Sequence, residues 1–230
     1  MRFELRKQKI LQLLLQNEEL SVTEVASQLN VSDITIRRDF TQLEKENLLQ
    51  RTHGGAMVVT ENPVISFQLK DLKNAEAKVE IGKKAAQFVK QGDVVFIDCG
   101  STTLQMCPFI RELNIKVITN SFPVLNALVS SKCSVNVIGG EYDLQRQAMH
   151  GKMAEWHIQQ YHATKAFIGA DAIDENQNLW ANSEKEAEIS YAMIQNSEQV
   201  YVLADSSKFG KKSYLKFCQN LEKATFVSEV

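Results

Sequence analysis

The sequence predicts an α/β protein in two parts, a small helical unit followed by a larger doubly wound parallel sheet. Three observations carry that reading. Up to about residue 57, apolar residues recur at helical spacing, with a strand signal only at the end. Beyond residue 75, short apolar runs alternate with amphipathic stretches, the pattern of a parallel sheet covered on both faces. Between them lies TENPVIS (60–66), polar and holding one of the chain's three prolines. The expected division is 1–58, a linker at 59–74, and 75–230, with no internal repeat.

Taking the elements in order, Phe3, Ile10, Leu11, Leu13, Leu14 and Leu15 give residues 2–16 a broad buried stripe. Ser21-Val-Thr-Glu24 has the form of a capping box, opening a short helix with Val22, Val25, Ala26 and Leu29 inward. Asn30-Val31 makes the turn, and Ser32 caps the next helix. There Ile36, Phe40 and Leu43 form the core face. Arg38, Thr41 and Lys45 point away from it, with Arg37 on the flank. A solvated basic face is the plain interpretation; two helices across a tight turn, the second with this outer face, favour a helix-turn-helix. LLQRTHGGAMVV (48–59) then reads as strand, turn at Gly54-Gly55 and strand, a wing that would bring Arg51 and His53 near phosphates. Eight basic and eight acidic residues over 1–60 cancel, so docking would depend on how the charges are sorted.

The second unit starts with a helix over 75–90 leading to strand VVFID (94–98). A helix from Thr102 leads to KVIT (116–119), and one from Phe122 to VNVIGG (135–140). AFIGA (166–170), a helix near 184–195 and VYVLAD (200–205) complete the pattern. Ligands of such sheets sit at the carboxyl ends of strands. Those ends hold Asp98, Gly100, Ser101, Thr102 and Thr103; Asn120; Gly139 and Gly140; Asp171; and Lys208. Gly100 would allow a tight turn, and Ser101 to Thr103 would offer amides and hydroxyls to an anion, with Lys208 adding charge. Neither G-x-G-x-x-G after a strand nor a nucleotide P-loop is present.

The bulk numbers exclude several classes. With 44% apolar and 23% charged residues, the 230-residue chain has an ordinary globular composition, and a net charge of −2 does not by itself imply a polyanion partner. Cys99, Cys107, Cys133 and Cys218 form no C-x-x-C, so neither disulfides nor a metal is expected. The charged start MRFELRKQKI is no signal peptide, and no run of about 18 apolar residues exists, so the chain is expected in the cytoplasm and off the membrane. No cofactor and no catalytic residue are expected, because none of His53, His150, His157 and His162 stands at a strand end beside a nucleophile. His150-Gly151 either lines a pocket or is a surface loop. His157 and His162 flank a helix and face solvent. Trp180 either stacks on a sugar or sits in the core.

The stretch VSDITIRRDFTQLEKENLLQRTHGGA is similar to the helix-turn-helix and wing of the DeoR family of transcription regulators. FIDCGSTT, ITNS, IGG and LADSSKFGK resemble that family's sensor motifs. The resemblance implies a repressor of a carbohydrate-utilisation operon. It would bind double-stranded operator DNA as a homo-oligomer, dimer or tetramer, and be released by a phosphorylated sugar or polyol. DNA contact would fall on Ser32, Thr35, Arg37, Arg38, Arg51 and His53, beside the outward Thr41 and Lys45. Effector contact would fall on Gly100 to Thr103, Asn120, Gly140 and Lys208, with Asp171 and Glu186 as further members. LQMCP with HGKMAE resembles the sorbitol-type repressors. Departures are Lys70 for an arginine, Ser190 for a basic residue, and an end at FVSEV before the usual final element. The sensor fold of this family resembles ribose-phosphate isomerase, which makes an isomerase-like enzyme the alternative. Against it, Ala172 replaces that enzyme's acidic residue in GADAID, and no glycine run with lysine precedes Glu184.

Overall fold

The computed structural model describes residues 2–17, 19–46, 48–57, 74–219, 221 and 224–230, apart from the side chains of residues 15 and 16. Of the expected linker 59–74, residues 59–73, with Lys70, lie outside the described residues. The chain divides into two units, Met1–Lys73 and Asn74–Val230.

The first unit runs α1 (Phe3–Asn17), β1 (Glu19–Ser21), α2 (Val22–Leu29), α3 (Asp33–Lys45), β2 (Gln50–Arg51) and β3 (Gly55–Met57). Ile10, Leu11, Leu14, Val22, Val25, Leu29, Ile36, Phe40 and Leu43 meet in one core, as their spacing requires. Asn30 ends α2 in the left-handed region (φ 51°), which its short polar side chain tolerates, and α3 follows three residues on. Two expectations need correction. Ser21 stands at the N-cap of α2, yet makes no capping bond with its side chain. It also ends β1, a strand not expected from sequence, which pairs antiparallel with β3 in the order β1-β3-β2. The Val22 amide therefore donates to Gly54 O (3.0 Å), and Ser21 Oγ pairs with Thr23 Oγ1 (2.9 Å).

The second unit begins with α4 (Ala75–Ala86), β4 (Val94–Ile97), the single-turn helices α5 (Ser101–Leu104) and α6 (Cys107–Ile110), β5 (Lys116–Thr119), α7 (Phe122–Leu128) and β6 (Ser134–Val137). The hairpin β7 (Glu141–Asp143) and β8 (Ala148–His150) precedes α8 (Lys152–Gln159). Then come β9 (Ala163–Gly169), β10 (Ala172–Ile173), β11 (Leu179–Ala181), α9 (Glu184–Gln195), β12 (Ser197–Leu203), a 3₁₀ turn at Ser206–Lys208, β13 (Leu215–Cys218) and β14 (Ala224–Val227). Six strands form one parallel sheet, ordered β14-β12-β9-β4-β5-β6. Alternation along each strand feeds two cores. Val95, Ile97 and Val117 pack with Ile81, Met106 and Val124 on one face, while Phe96, Ile118 and Ile168 pack with Ile158, Ile189 and Met193 on the other. Burial on both faces is why these strands read as continuous apolar runs.

From β4 the chain winds outward through β5 and β6, then returns to place β9 on the other side of β4. The winding direction changes there, the topological position at which open α/β sheets generally bind ligands.

Candidate nucleic-acid interface and anion site

Ser32 caps α3 through its Oγ, which accepts from the Thr35 amide (3.3 Å) and pairs with Thr35 Oγ1 (2.9 Å). Both side chains thus shape the helix start. Arg37, Arg38 and Lys45 are exposed along α3 and form no ion pair among the described residues. Thr41 is half-buried; its hydroxyl donates to Arg37 O (2.8 Å) and accepts from Arg51 Nη1 (3.0 Å). The Arg51 amide donates to Glu44 (2.9 Å), which ties strand β2 to α3. His53 is exposed at the tip between β2 and β3. The face is braced from behind by a contact that sequence patterning could not disclose. Arg6 on α1 grips Asp39 of α3 with two bonds, Nε to Oδ2 (2.5 Å) and Nη2 to Oδ1 (2.9 Å), and Asp39 is 3% exposed. The Asp39 hydrogen bond raises the Arg6 pKa further, so the guanidinium stays charged.

In the second unit, Asp98 organises the switch point between β4 and β9. Its Oδ1 accepts from the Gly100 amide (2.9 Å) and the Thr103 hydroxyl (2.7 Å), and Oδ2 accepts from the Gly169 amide (2.7 Å). Burial pushes the Asp98 carboxyl up, against the pull of these three donors. Both oxygens are used within the fold, so Asp98 joins the loops after β4 and β9. Gly100 has an ordinary φ of −69°, so a tight turn is not what requires it. A Cβ there would lie 3.0 Å from Asp98 Oδ1 and 3.1 Å from Thr103 Oγ1, and crowding is the physical reason.

Lys78 is a buried cation beside this loop that sequence reasoning missed. It is 5% exposed on α4, and its Nζ donates to Ser101 Oγ (2.9 Å). The helix α5 has only one turn and contributes little dipole, so Lys78 supplies the positive charge that the loop's amides lack. Its spacing with Ile81 and Ala85 turns it inward, but nothing in the sequence names the loop as its partner, because α4 and the loop meet only in the fold. A second unannounced group is Arg146, which pairs with Glu186 (2.8 Å). Burial, then the Glu186 and Asp98 charges, push the Cys99 thiol well up while Arg146 opposes them, so this pair lies within electrostatic reach of the loop.

The remaining residues fall into place around these. Asn120 is fully buried; its Nδ2 donates to Met149 O (2.9 Å), holding the β7–β8 hairpin, and its Oδ1 has no partner among the described residues. Asp171 Oδ2 accepts from the Asn182 amide (2.8 Å). Lys208 is half-buried in the turn after β12. That turn is built by Asp205, which accepts from the Ser207 amide (3.1 Å) and from Asn74 Nδ2 (3.0 Å), and by Glu229, which accepts from the Ser206 amide (3.0 Å). Burial would raise the Asp205 carboxyl, but Ser207 and Asn74 hold it below the usual range. Gly139 and Gly140 border a different cleft, against α8. Ser190, where a basic residue was expected to be missing, is buried.

His157 differs from expectation, and the open readings of His150 and Trp180 narrow. His150 is 1% exposed rather than on a surface loop, because β8 carries it inward and Lys185 O meets its Nδ1 (3.2 Å). His157 lies inside α8, half-buried, and its Nδ1 accepts from the Gly139 amide (3.2 Å). Trp180 is half-buried, with Nε1 donating to Asp174 Oδ2 (3.0 Å). Among the described residues no helix is long and apolar enough to cross a membrane, and no cluster of three or more His, Cys, Asp or Glu could hold a metal ion.

Comparison with known proteins covers both units. The model of the DeoR-like helix-turn-helix domain matches residues 6–62, and that of the DeoR C terminal sensor domain matches residues 73–229. The L-fucose operon activator of Haemophilus influenzae is 35% identical over 92% of this chain and 86% of its own length. The lactose phosphotransferase system repressor of Lactococcus lactis is 34% identical over 90% of this chain and 83% of its own. The putative aga operon transcriptional repressor of Escherichia coli O157:H7 is 32% identical over 92% and 80%. Among solved structures, ribose 5-phosphate isomerase A of Methanocaldococcus jannaschii aligns with 59% of this chain and 55% of its own, at 22% identity and a TM-score of 0.44.

Proposed function

This chain belongs to the DeoR family of transcription regulators, and from that membership we propose that it represses a carbohydrate operon in the cytoplasm until a phosphorylated sugar or polyol binds its second unit. The free cations Arg37, Arg38 and Lys45 meet the DNA backbone, or one arginine reaches a guanine edge. Ser32 and Thr35 set the helix start, and Thr41 positions Arg51. His53 contacts DNA from the tip of the wing. Two such units in a homo-oligomer, a dimer or tetramer, would read two half-sites.

The observation that carries the effector reading is the buried Lys78 ammonium held on Ser101 at the switch point. An anion there meets that charge, the amides of residues 101–103 and the hydroxyls of Ser101 and Thr102. Lys208 adds charge from the loop after β12. Asp171, Glu186 and Arg146 would meet sugar hydroxyls, while Asp98, Gly100, Thr103 and Asn120 hold the frame. The effector shifts the protein only by its differential affinity for the bound and released states.

Thr102→Glu sets a carboxylate where the phosphate would lie. The variant should retain operator DNA in gel shifts and ignore every sugar phosphate that releases the parent protein. A normally released variant would exclude this loop. Activation is the second reading, favoured by the 35% identity to an operon activator. Reporter transcription in a deletion strain decides between them, since a repressor's loss raises expression and an activator's loss lowers it.

A further inference from the structure

We propose that the cleft between the loop after β6 and helix α8 is a second ligand site, which takes a neutral hydroxylated ring of the kind an unphosphorylated sugar presents. The cleft encloses about 550 Å³, within the range of small-molecule sites. Gly139 and Gly140 line one side. A Cβ on Gly140 would lie 2.6 Å from His150 O and 2.9 Å from Ala154 Cβ, so the bare backbone lets the loop, β8 and α8 close together. From α8, Trp156 and Met153 line it while remaining 56% and 65% exposed.

His150 supplies the polar half of the argument. Its Nδ1 faces Lys185 O (3.2 Å), a carbonyl that can only accept, so Nδ1 carries the proton. Burial lowers the ring's pKa and keeps it neutral. Nε2 is then a lone-pair acceptor, buried and without a partner among the described residues. Such an atom is costly to leave unmet, and a ligand hydroxyl would satisfy it.

The charges around the cleft argue for a neutral occupant. Lys152 is matched by Glu155 (3.1 Å) and Glu188 (3.8 Å), and Glu141 by Lys185 (3.4 Å). His157 Nδ1 is occupied by the Gly139 amide. A phosphate would therefore meet no uncompensated cation and would lie beside the Glu141 carboxylate. A pyranose or flat polyol instead lays its C–H face on the Trp156 indole and turns a hydroxyl to His150. The phosphate loop contributes nothing to this cleft, so the inference stands apart from the function proposed above.

The test is calorimetric titration of the full chain with a panel of unphosphorylated pentoses, hexoses and hexitols. At least one should bind saturably. Trp156→Ala should weaken that binding roughly tenfold or more, and Thr102→Glu should leave it unchanged. His150→Phe removes the acceptor and should weaken binding as well; if it fails to fold, Trp156→Ala, at an exposed side chain, decides alone. The proposal is overturned if no compound saturates, if binding survives Trp156→Ala, or if Thr102→Glu abolishes it. It is equally overturned if Trp156→Ala changes only the sedimentation of the oligomer, which would make the cleft a contact with a second copy.

Discussion

Four arginines of the first unit divide by what they touch. Arg6 is locked on Asp39 and Arg51 on Thr41, whereas Arg37 and Arg38 extend from α3 without an ion pair among the described residues. Only the free pair can move onto phosphates without breaking a contact of the fold. Arg38→Ala should therefore cost about 1–3 kcal/mol of operator binding and flatten its salt dependence, with no change in melting temperature. Gel shifts over a salt series, with thermal melts as control, check this; unchanged affinity would misplace the docking face. The outward residues of α3 were legible because helical periodicity assigns every position a direction. Arg146 was not, because it sits in the β7–β8 turn where no period holds, and Lys78, though on the inward stripe of α4 with Ile81 and Ala85, has its partner far along the chain.

At the scale of elements, the first unit depends on how α1 braces α3. Asp39→Ala would leave the Arg6 guanidinium, itself little exposed, without its carboxylate. Loss of one partner of such a pair should destabilise the unit by about 3 kcal/mol. Urea denaturation followed at the first unit should show the drop, and operator affinity should fall with it as α3 loses its support. A change below about 0.5 kcal/mol would mean that the pair is dispensable. Helices α2 and α3 and strands β4, β5 and β12 were read from sequence because sustained apolar patterns encode them. Strand β1, three residues long, and the hairpin β7–β8 were missed. Both are held by backbone pairing to distant segments, Gly55 to Met57 for β1 and Asn120 to Phe122 beside β8, which composition does not reveal.

For the molecule as a whole, the division at residue 73 implies two cooperative transitions on heating. A sugar phosphate bound at the Lys78 loop should raise only that of residues 74–230, by about 2.7 kcal/mol at a hundredfold excess over Kd. Differential scanning calorimetry with a panel of sugar phosphates would detect this; a ligand that moved the first transition alone would contradict the assignment. The sheet's central pairing has a further consequence. Thr164, on β9, donates to Val94 O on β4 across 70 residues of chain. A ribosome that has just released β4, β5 and β6 has made half a sheet whose innermost strand shows a bare hydrogen-bonding edge to solvent. That edge is covered only after the hairpin, α8 and β9 have been translated, so the nascent chain is most exposed to sticking and chaperone capture during that interval.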